Sequence, residues 1–308
     1  MKATDFVVKT TKEYVEQMPK AQRKKMGQFF TSAGTARFMA ELFEIPSEID
    51  SISILDPGAG SGILAAAAVD RLEEIESIRT IYIVCYENNP DVAELLKSNL
   101  EWMKKHSEKE ISYELRQENY ILSQSENYNS TFSAELNPQK YDIVISNPPY
   151  IKLPKTAPEA MSMQDVCYGA PNLYFLFARM SAFNLKENGE MVYIVPRSWT
   201  SGAYFKKFRN KFFEEMALEH IHLFESRDKV FEIESVLQET MIFKAKKTQQ
   251  KPSQILMTTT KNNSDFEGRT VFQAPYETVV SGTEDYVYLV TNEKEAVSYT
   301  HLTLPTNR

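Results

Sequence analysis

Asp56-Pro57-Gly58-Ala59-Gly60-Ser61-Gly62 stands between a short apolar run, Ser51–Leu55, and an alanine-rich stretch, Ile63–Ile78. The run before it reads as a strand and the stretch after it as a helix. Glycines at every second position let the backbone turn tightly and let a ligand approach it closely. The spacing differs from the G-x-G-x-x-G of dinucleotide sites. An acidic residue opening the loop, as Asp56 does, suits a ligand that carries an ammonium or a sulfonium.

Outward from this loop, strands and helices alternate. Thr80–Tyr86 is a β-branched and aromatic strand, followed by Glu87, which is placed to accept the hydroxyls of a ribose. Pro90 opens a helix running to about His106, because its missing N–H costs nothing in the first turn. Ile111–Leu115 reads as a third strand, with Asn119 and Tyr120 after it. Asn119 suits the edge of an adenine and Tyr120 its face. Residues 123–139 are rich in Ser and Asn and read as a loop. Tyr141–Ser146 is a buried-type strand, Pro171 and Asn172 open a helix to about Lys186, and Glu190–Val195 is a further strand. A helix at about 203–216 and strands near 219–224 and 237–244 complete the pattern, the last two expected to pair antiparallel at the sheet edge. Such alternation implies right-handed crossovers and a mainly parallel sheet. The expected fold class is therefore α/β.

Asn147-Pro148-Pro149-Tyr150 follows the buried strand directly. Two prolines remove two N–H donors and leave carbonyls free as acceptors. The Asn147 amide oxygen is another acceptor, and Tyr150 offers a flat face to a planar substrate. Two acceptors aimed at one NH₂ group hold it and turn its lone pair out of conjugation.

Composition sets the remaining bounds. Among 308 residues, 35 are basic and 42 acidic, for a net charge of −7. An acidic total argues mildly against a nucleic-acid partner, although a local basic cleft is compatible with it. Two basic clusters exist: Lys20, Arg23, Lys24 and Lys25, and Arg197 through Lys206, Lys207, Arg209 and Lys211. By default each is a solvated helix face. No apolar run approaches the roughly 20 residues that span a bilayer, so neither a membrane partner nor a location other than the cytoplasm is expected. Cys85 and Cys167 read as buried thiols, and no spacing points to a metal.

Taken together, these motifs resemble the amino-methyltransferases, and in particular the adenine-specific (N6) DNA methyltransferases of restriction–modification systems. The resemblance covers about residues 20–247 and includes Gly27-Gln28-Phe29-Phe30-Thr31, similar to the family's N-terminal cofactor motif. Motif order resembles the gamma arrangement. The resemblance implies a Rossmann-like methyltransferase fold with a seven-stranded sheet and an antiparallel edge strand. It implies that Thr31, Asp56, Gly58, Gly60, Glu87 and Asn119, with Tyr120 beside them, bind S-adenosylmethionine. It implies that Asn147, Pro148, Pro149 and Tyr150 hold a flipped adenine of double-stranded DNA, with Phe231 in Lys229-Val230-Phe231 as a second stacking ring. A cognate restriction endonuclease is the implied partner. Ser32 and Asn119 depart from the family's usual proline and aspartate, which bears on cofactor affinity.

The glutamine methyltransferases that modify peptide release factors share N-P-P-Y and Ile151. The Gly27–Thr31 motif and the aromatic segment with Pro196-Arg197-Ser198-Trp199 fit them less well. Two further readings stay open: RNA as the substrate, and a non-catalytic cofactor-binding subunit. The expected organisation is a helical segment over residues 1–25 and a catalytic domain over 26–247. The start of a truncated target-recognition region would follow over 248–296. Residues 297–308 resemble a translated sequencing adapter and read as a non-native tail.

Overall fold

The computed structural model describes residues 1–17, 30–130, 138–225, 240–263, 265–283 and 285–295. Its frame is one sheet of nine strands. In chain order these are β1 (Ser51–Pro57), β2 (Thr80–Tyr86), β3 (Glu110–Arg116), β4 (Tyr141–Ser146), β5 (Leu185–Pro196), β6 (Met216–Phe224), β7 (Thr240–Lys247), β8 (Gln254–Thr260) and β9 (Thr270–Pro275). They lie side by side as β3-β2-β1-β4-β5-β7-β6-β8-β9. From β1 the chain steps outward to β2 and β3, then crosses back to β4 on the other side. That reversal leaves a crevice at the carboxyl ends of β1 and β4, the usual ligand position in an open α/β sheet.

Helices cover both faces: α1 (Ala3–Gln17), α2 (Ala33–Glu41), α3 (Ile63–Glu73), α4 (Pro90–His106), α5 (Tyr120–Asn129), the short α6 (Pro158–Ser162), α7 (Leu173–Asn184), α8 (Lys206–Glu215) and the single turn α9 (Tyr276–Val279). α3 is buried almost all round, which its alanines allow. Asp70 on α3 caps α1 by accepting the Ala3 and Thr4 N–H groups at 2.7 and 2.9 Å, so the first helix is fastened to the one that follows the glycine loop. Asn89 caps α4, and Asn99 within α4 donates to the Ser61 carbonyl at 2.8 Å.

The α/β class and the mainly parallel core hold, with three corrections in detail. The antiparallel strand expected at the edge, β7, lies between β5 and β6. The sheet does not stop at Lys247, because residues 254–275, expected to open a recognition region, form β8 and β9 of the same sheet. Their polarity is misleading. Thr258 sits 2.8 Å from both His220 and His222, and Thr260 3.1 Å from His222, so the hydroxyls of β8 are buried against imidazoles of β6. Burial holds these histidines neutral, at about 4 for His220 and about 3 for His222. Third, the Ser- and Asn-rich stretch after Asn119 is partly helical. Asn119 accepts the Leu122 N–H at 3.0 Å as an N-cap, and Ser123 and Ser125 donate to carbonyls within the same helix.

The second basic cluster divides. Arg209 is fully buried and donates to the Trp199 and Gly202 carbonyls at 3.0 and 2.8 Å, locking the turn after β5. Lys211 pairs with Glu214 on the surface, while Lys206 and Lys207 are exposed. Cys85 is buried as expected, and Cys167 only half-buried. Phe231, the first basic cluster, most of the Gly27–Thr31 motif and residues 297–308 lie outside the described residues. Among the described residues no helix is long and apolar enough to cross a membrane.

Candidate functional site

Two loops face each other across the crevice. The first, after β1, runs through Gly58, Gly60 and Gly62, all with φ between +56° and +82°. At Gly62 an added Cβ would lie 2.6 Å from Leu96, so the loop is packed hard on α4. At Gly60 a Cβ would meet nothing within 4 Å, so that side of the loop faces open space. Gly58 and Ala59 donate to the Tyr86 carbonyl, and Gly60 donates to Glu87 Oε2 at 3.0 Å. Glu87 Oε1 accepts the Asn89 N–H at 2.8 Å. Burial raises the Glu87 carboxyl, and these N–H bonds pull it partly back. A carboxylate offers about four acceptor positions, so the backbone donors do not exhaust it.

The second loop is Asn147–Tyr150. Ser146 donates to the Pro57 carbonyl at 2.7 Å and so pins the end of β4 to the end of β1. Asn147 Nδ2 donates to Thr31 Oγ1 at 3.1 Å. The Tyr150 hydroxyl lies 2.8 Å from Asn147 Oδ1 and 3.0 Å from the Ile194 carbonyl. Thr31 and Tyr150 thus fix which way the amide faces. The Tyr150 ring meets Tyr174 edge-on at 6.1 Å, and burial pushes its phenol well above the usual range.

Between the loops is a cavity of about 310 Å³. Its wall includes Gly58, Gly60, Glu87, Asn119, Tyr120, Asn147, Pro148 and Pro149, so eight of the expected site residues converge there. Three others stand behind the wall. Thr31 and Tyr150 touch Asn147, while Asp56 is fully buried beneath the glycine loop. Neither Asp56 oxygen has a partner in hydrogen-bond geometry. Burial pushes its carboxyl up to about 8, Glu87 adds to this, and the Ala65 N–H opposes it. Asn119 is already engaged twice, as the cap of α5 and as donor to Glu159 at 2.8 Å. Tyr120 is nearly buried, its phenol bonded to Asn184 at 2.8 Å and its ring against Tyr86 and Phe177.

Sequence reasoning missed Phe30, Tyr86, Asn88, Asn89, Glu118, Ile151, Leu173 and Phe177, which complete the wall. Tyr86, Ile151, Leu173 and Phe177 look like core in a sequence, and the polar Asn88, Asn89 and Glu118 like loop residues, while Phe30 lies inside the Gly27–Thr31 motif. Gly58 shows why Phe177 belongs: a Cβ there would be 3.4 Å from Phe177 and 3.8 Å from Pro149, so the two loops and α7 close on one another at this point. Aromatic and apolar surfaces with the carboxylates of Glu87 and Glu118 make a cavity suited to a planar ligand with positive charge. The buried Asp56 carboxyl and the open space at Gly60 fit S-adenosylmethionine, with its adenine, ribose and sulfonium. Among the described residues no group of three or more His, Cys, Asp or Glu is placed to hold a metal ion.

Comparison with known proteins gives a consistent picture. Residues 68–231 match the family model of the Eco57I restriction-modification methylase. The type II methyltransferase M.PstI of Providencia stuartii is 34% identical over 285 residues, covering 89% of this chain and 53% of that protein. M.BsuBI of Bacillus subtilis is 29% identical over 293 residues, covering 91% and 55%. The chain spans about half the length of these curated relatives. Among solved structures, a class I S-adenosylmethionine-dependent methyltransferase of Listeria monocytogenes, itself described as putative, superposes with a TM-score of 0.60 at 18% identity, covering 77% of this chain and 67% of that one. That likeness shows the fold.

Proposed function

The chain belongs to the Eco57I restriction-modification methylase family, and from that premise we propose that it transfers the methyl group of S-adenosylmethionine to the exocyclic amino group of adenine in DNA. The observation that carries the reading is the Asn147 amide, held at its nitrogen by Thr31 and at its oxygen by Tyr150, on the wall of a cavity that begins at the glycine loop.

S-adenosylmethionine, when bound, supplies an electrophilic methyl group on a sulfonium. The residues suited to hold it are Glu87 for the ribose, Asn119 for the base edge, and the Gly58–Gly60 backbone for close approach. Asp56, Glu87 and Glu118 offset its positive charge. Asn147 and Pro148 serve the other substrate. An amide oxygen has two acceptor positions. The Asn147 oxygen receives an N–H of the adenine amino group, with the Pro148 carbonyl as the second acceptor. As the nitrogen attacks it gains positive character, so both bonds tighten in the transition state. The nucleophile is neutral and the electrophile strong, so positioning does most of the work and no strong base is needed. Inside a duplex the amino group is out of reach, and the base must be flipped into the cavity mouth. In a restriction–modification setting, a cognate endonuclease is the corresponding partner.

The test is to express the chain in a host that lacks adenine methylation and to map modified bases by single-molecule sequencing. N6-methyladenine recurring in a fixed sequence is the expected result. An unmodified genome, or tritiated methyl groups recovered in protein or RNA, would overturn the reading.

A further inference from the structure

Two segments leave the carboxyl ends of β4 and β5 and meet beside the cavity. The first is an excursion pinched at its base, where the Leu153 N–H donates to the Pro171 carbonyl and the Leu173 N–H to the Ile151 carbonyl, both at 2.8 Å. Ile151 and Leu173 line the cavity, so the excursion between them stands at its mouth. It carries Tyr168, 60% exposed. The second segment, residues 197–205, carries Tyr204, 64% exposed. The two rings stand 6.2 Å apart, tilted by 48°. Beneath them the segments are locked together, since the Tyr174 hydroxyl is 3.0 Å from Ser198 Oγ and the Tyr174 ring stacks on Phe205.

Lysines flank the pair. Gly169 (φ +84°) lies between Tyr204 and Lys155, for a Cβ there would sit 3.4 Å from the Tyr204 ring and 3.7 Å from Lys155 Cε. Lys207 follows Tyr204 by three residues, in the first turn of α8. Both lysines are exposed. Neighbouring exposed rings need an explanation that a single one does not. Rings interleaved with ammonium groups are what a surface for nucleic-acid stacking requires.

We propose that Tyr168 and Tyr204, with Lys155 and Lys207 beside them, form a platform at the cavity mouth that receives duplex DNA next to the flipped adenine. The rings take the base pair left uncovered when the adenine leaves the stack, and the lysines take the flanking phosphates. This rests on the adenine reading. Flipping costs the adenine its stacking, and an aromatic face returns part of it. Every base has such a face and phosphates carry no sequence, so the platform is indifferent to the target site. It can therefore be tested without knowing that site.

The probes are a 20-base-pair duplex with one adenine opposite an abasic site, and the same duplex fully paired, bound to the full chain and followed by fluorescence anisotropy. The wild type prefers the first. The Tyr168→Ala/Tyr204→Ala variant loses that preference, by on the order of tenfold, with its salt dependence unchanged. The Lys155→Gln/Lys207→Gln variant weakens on both duplexes, and its log–log salt slope becomes shallower by about 0.9 per lost contact. A tyrosine variant that keeps the preference, or a lysine variant that keeps the slope, overturns the platform. If the wild type methylates DNA and both variants bind as it does, the platform alone fails. If the wild type binds neither duplex and labels no DNA, the adenine reading fails with it. A tyrosine variant that loses only a concentration-dependent dimer reassigns the rings to self-association and overturns the proposal.

Discussion

The two loops that face each other across the cavity are built on opposite terms. In the proline loop the Asn147 side chain is held at both ends, since it reaches Thr31 with its nitrogen and Tyr150 with its oxygen. In the glycine loop the backbone is set by three left-handed glycines, yet the Asp56 carboxyl beneath it has no partner in hydrogen-bond geometry. On the reading proposed above, one loop is organised in advance for a neutral amino group, and the other holds a group that a bound positive charge would satisfy. A neutral nucleophile needs geometry, and a sulfonium needs countercharge.

The contrast breaks most visibly at Asn147. Replacing it with Ala should abolish methyl transfer, a loss on the order of 3 kcal/mol or more in transition-state stabilisation, while calorimetry shows S-adenosylmethionine still bound. If cofactor binding disappears as well, the two loops are not separable. Gly60→Ala probes the other side. The residue has φ +56° and open space before it, so the variant should lose about 1–2 kcal/mol of stability from the left-handed backbone, read by thermal unfolding. Its cofactor affinity should fall too, because the methyl enters the space the ligand uses. Intact affinity would place the ligand elsewhere.

Smaller effects sharpen the picture. Thr31→Val and Tyr150→Phe each remove one tether of the amide and should lower kcat up to about tenfold, at 0.5–1.5 kcal/mol per hydrogen bond. The KM for S-adenosylmethionine should not move, and Thr31→Ser should restore the rate. A raised KM with unchanged kcat in Thr31→Val would return Thr31 to the cofactor. The smallest effect concerns pH. Burial holds the free Asp56 carboxyl near 8, and Glu87 on the wall already shifts it, so charge on the wall is felt beneath the loop. A bound cation favours the ionised form, so binding below pH 8 releases a proton, and affinity should rise roughly fivefold from pH 7 to pH 8 and then level off. Asp56→Asn should flatten that profile. The same shift means that folding binds an extra proton between the unfolded carboxyl's range and about 8. Asp56 therefore costs the free protein stability as pH rises through that window, a cost the Asn variant lacks.

Much of this was legible in the sequence wherever a residue's chemistry matched its local pattern. Asp56–Gly62 and Asn147–Tyr150 announce themselves because glycine and proline have few other reasons to occur in that order after apolar strands. What the sequence concealed were residues whose partners are distant. Phe177 and Leu173 look like core until the fold brings them to the cavity. The threonines of β8 look like a linker until His220 and His222 bond to them. Arg209 looks like a surface cation until the turn at Trp199–Gly202 encloses it. Thr31 was readable as a site residue from its motif, but its contact with Asn147, 116 positions away in the chain, was not.

The placement of β7 has a consequence in time as well as space. Its pairs with β5 run from Pro196–Thr240 to Glu190–Lys246, so during synthesis the outer edge of β5 gains its first β7 partner only 44 residues after Pro196. At roughly 5–20 residues per second that is about 2–9 s. β6 is complete well before then, and it is an apolar strand that could add to the same edge. A direct β5–β6 pairing would occupy the place that β7 takes in the finished sheet, so a ribosome that stalls between residues 224 and 240 would leave β5 and β6 together without the strand that separates them.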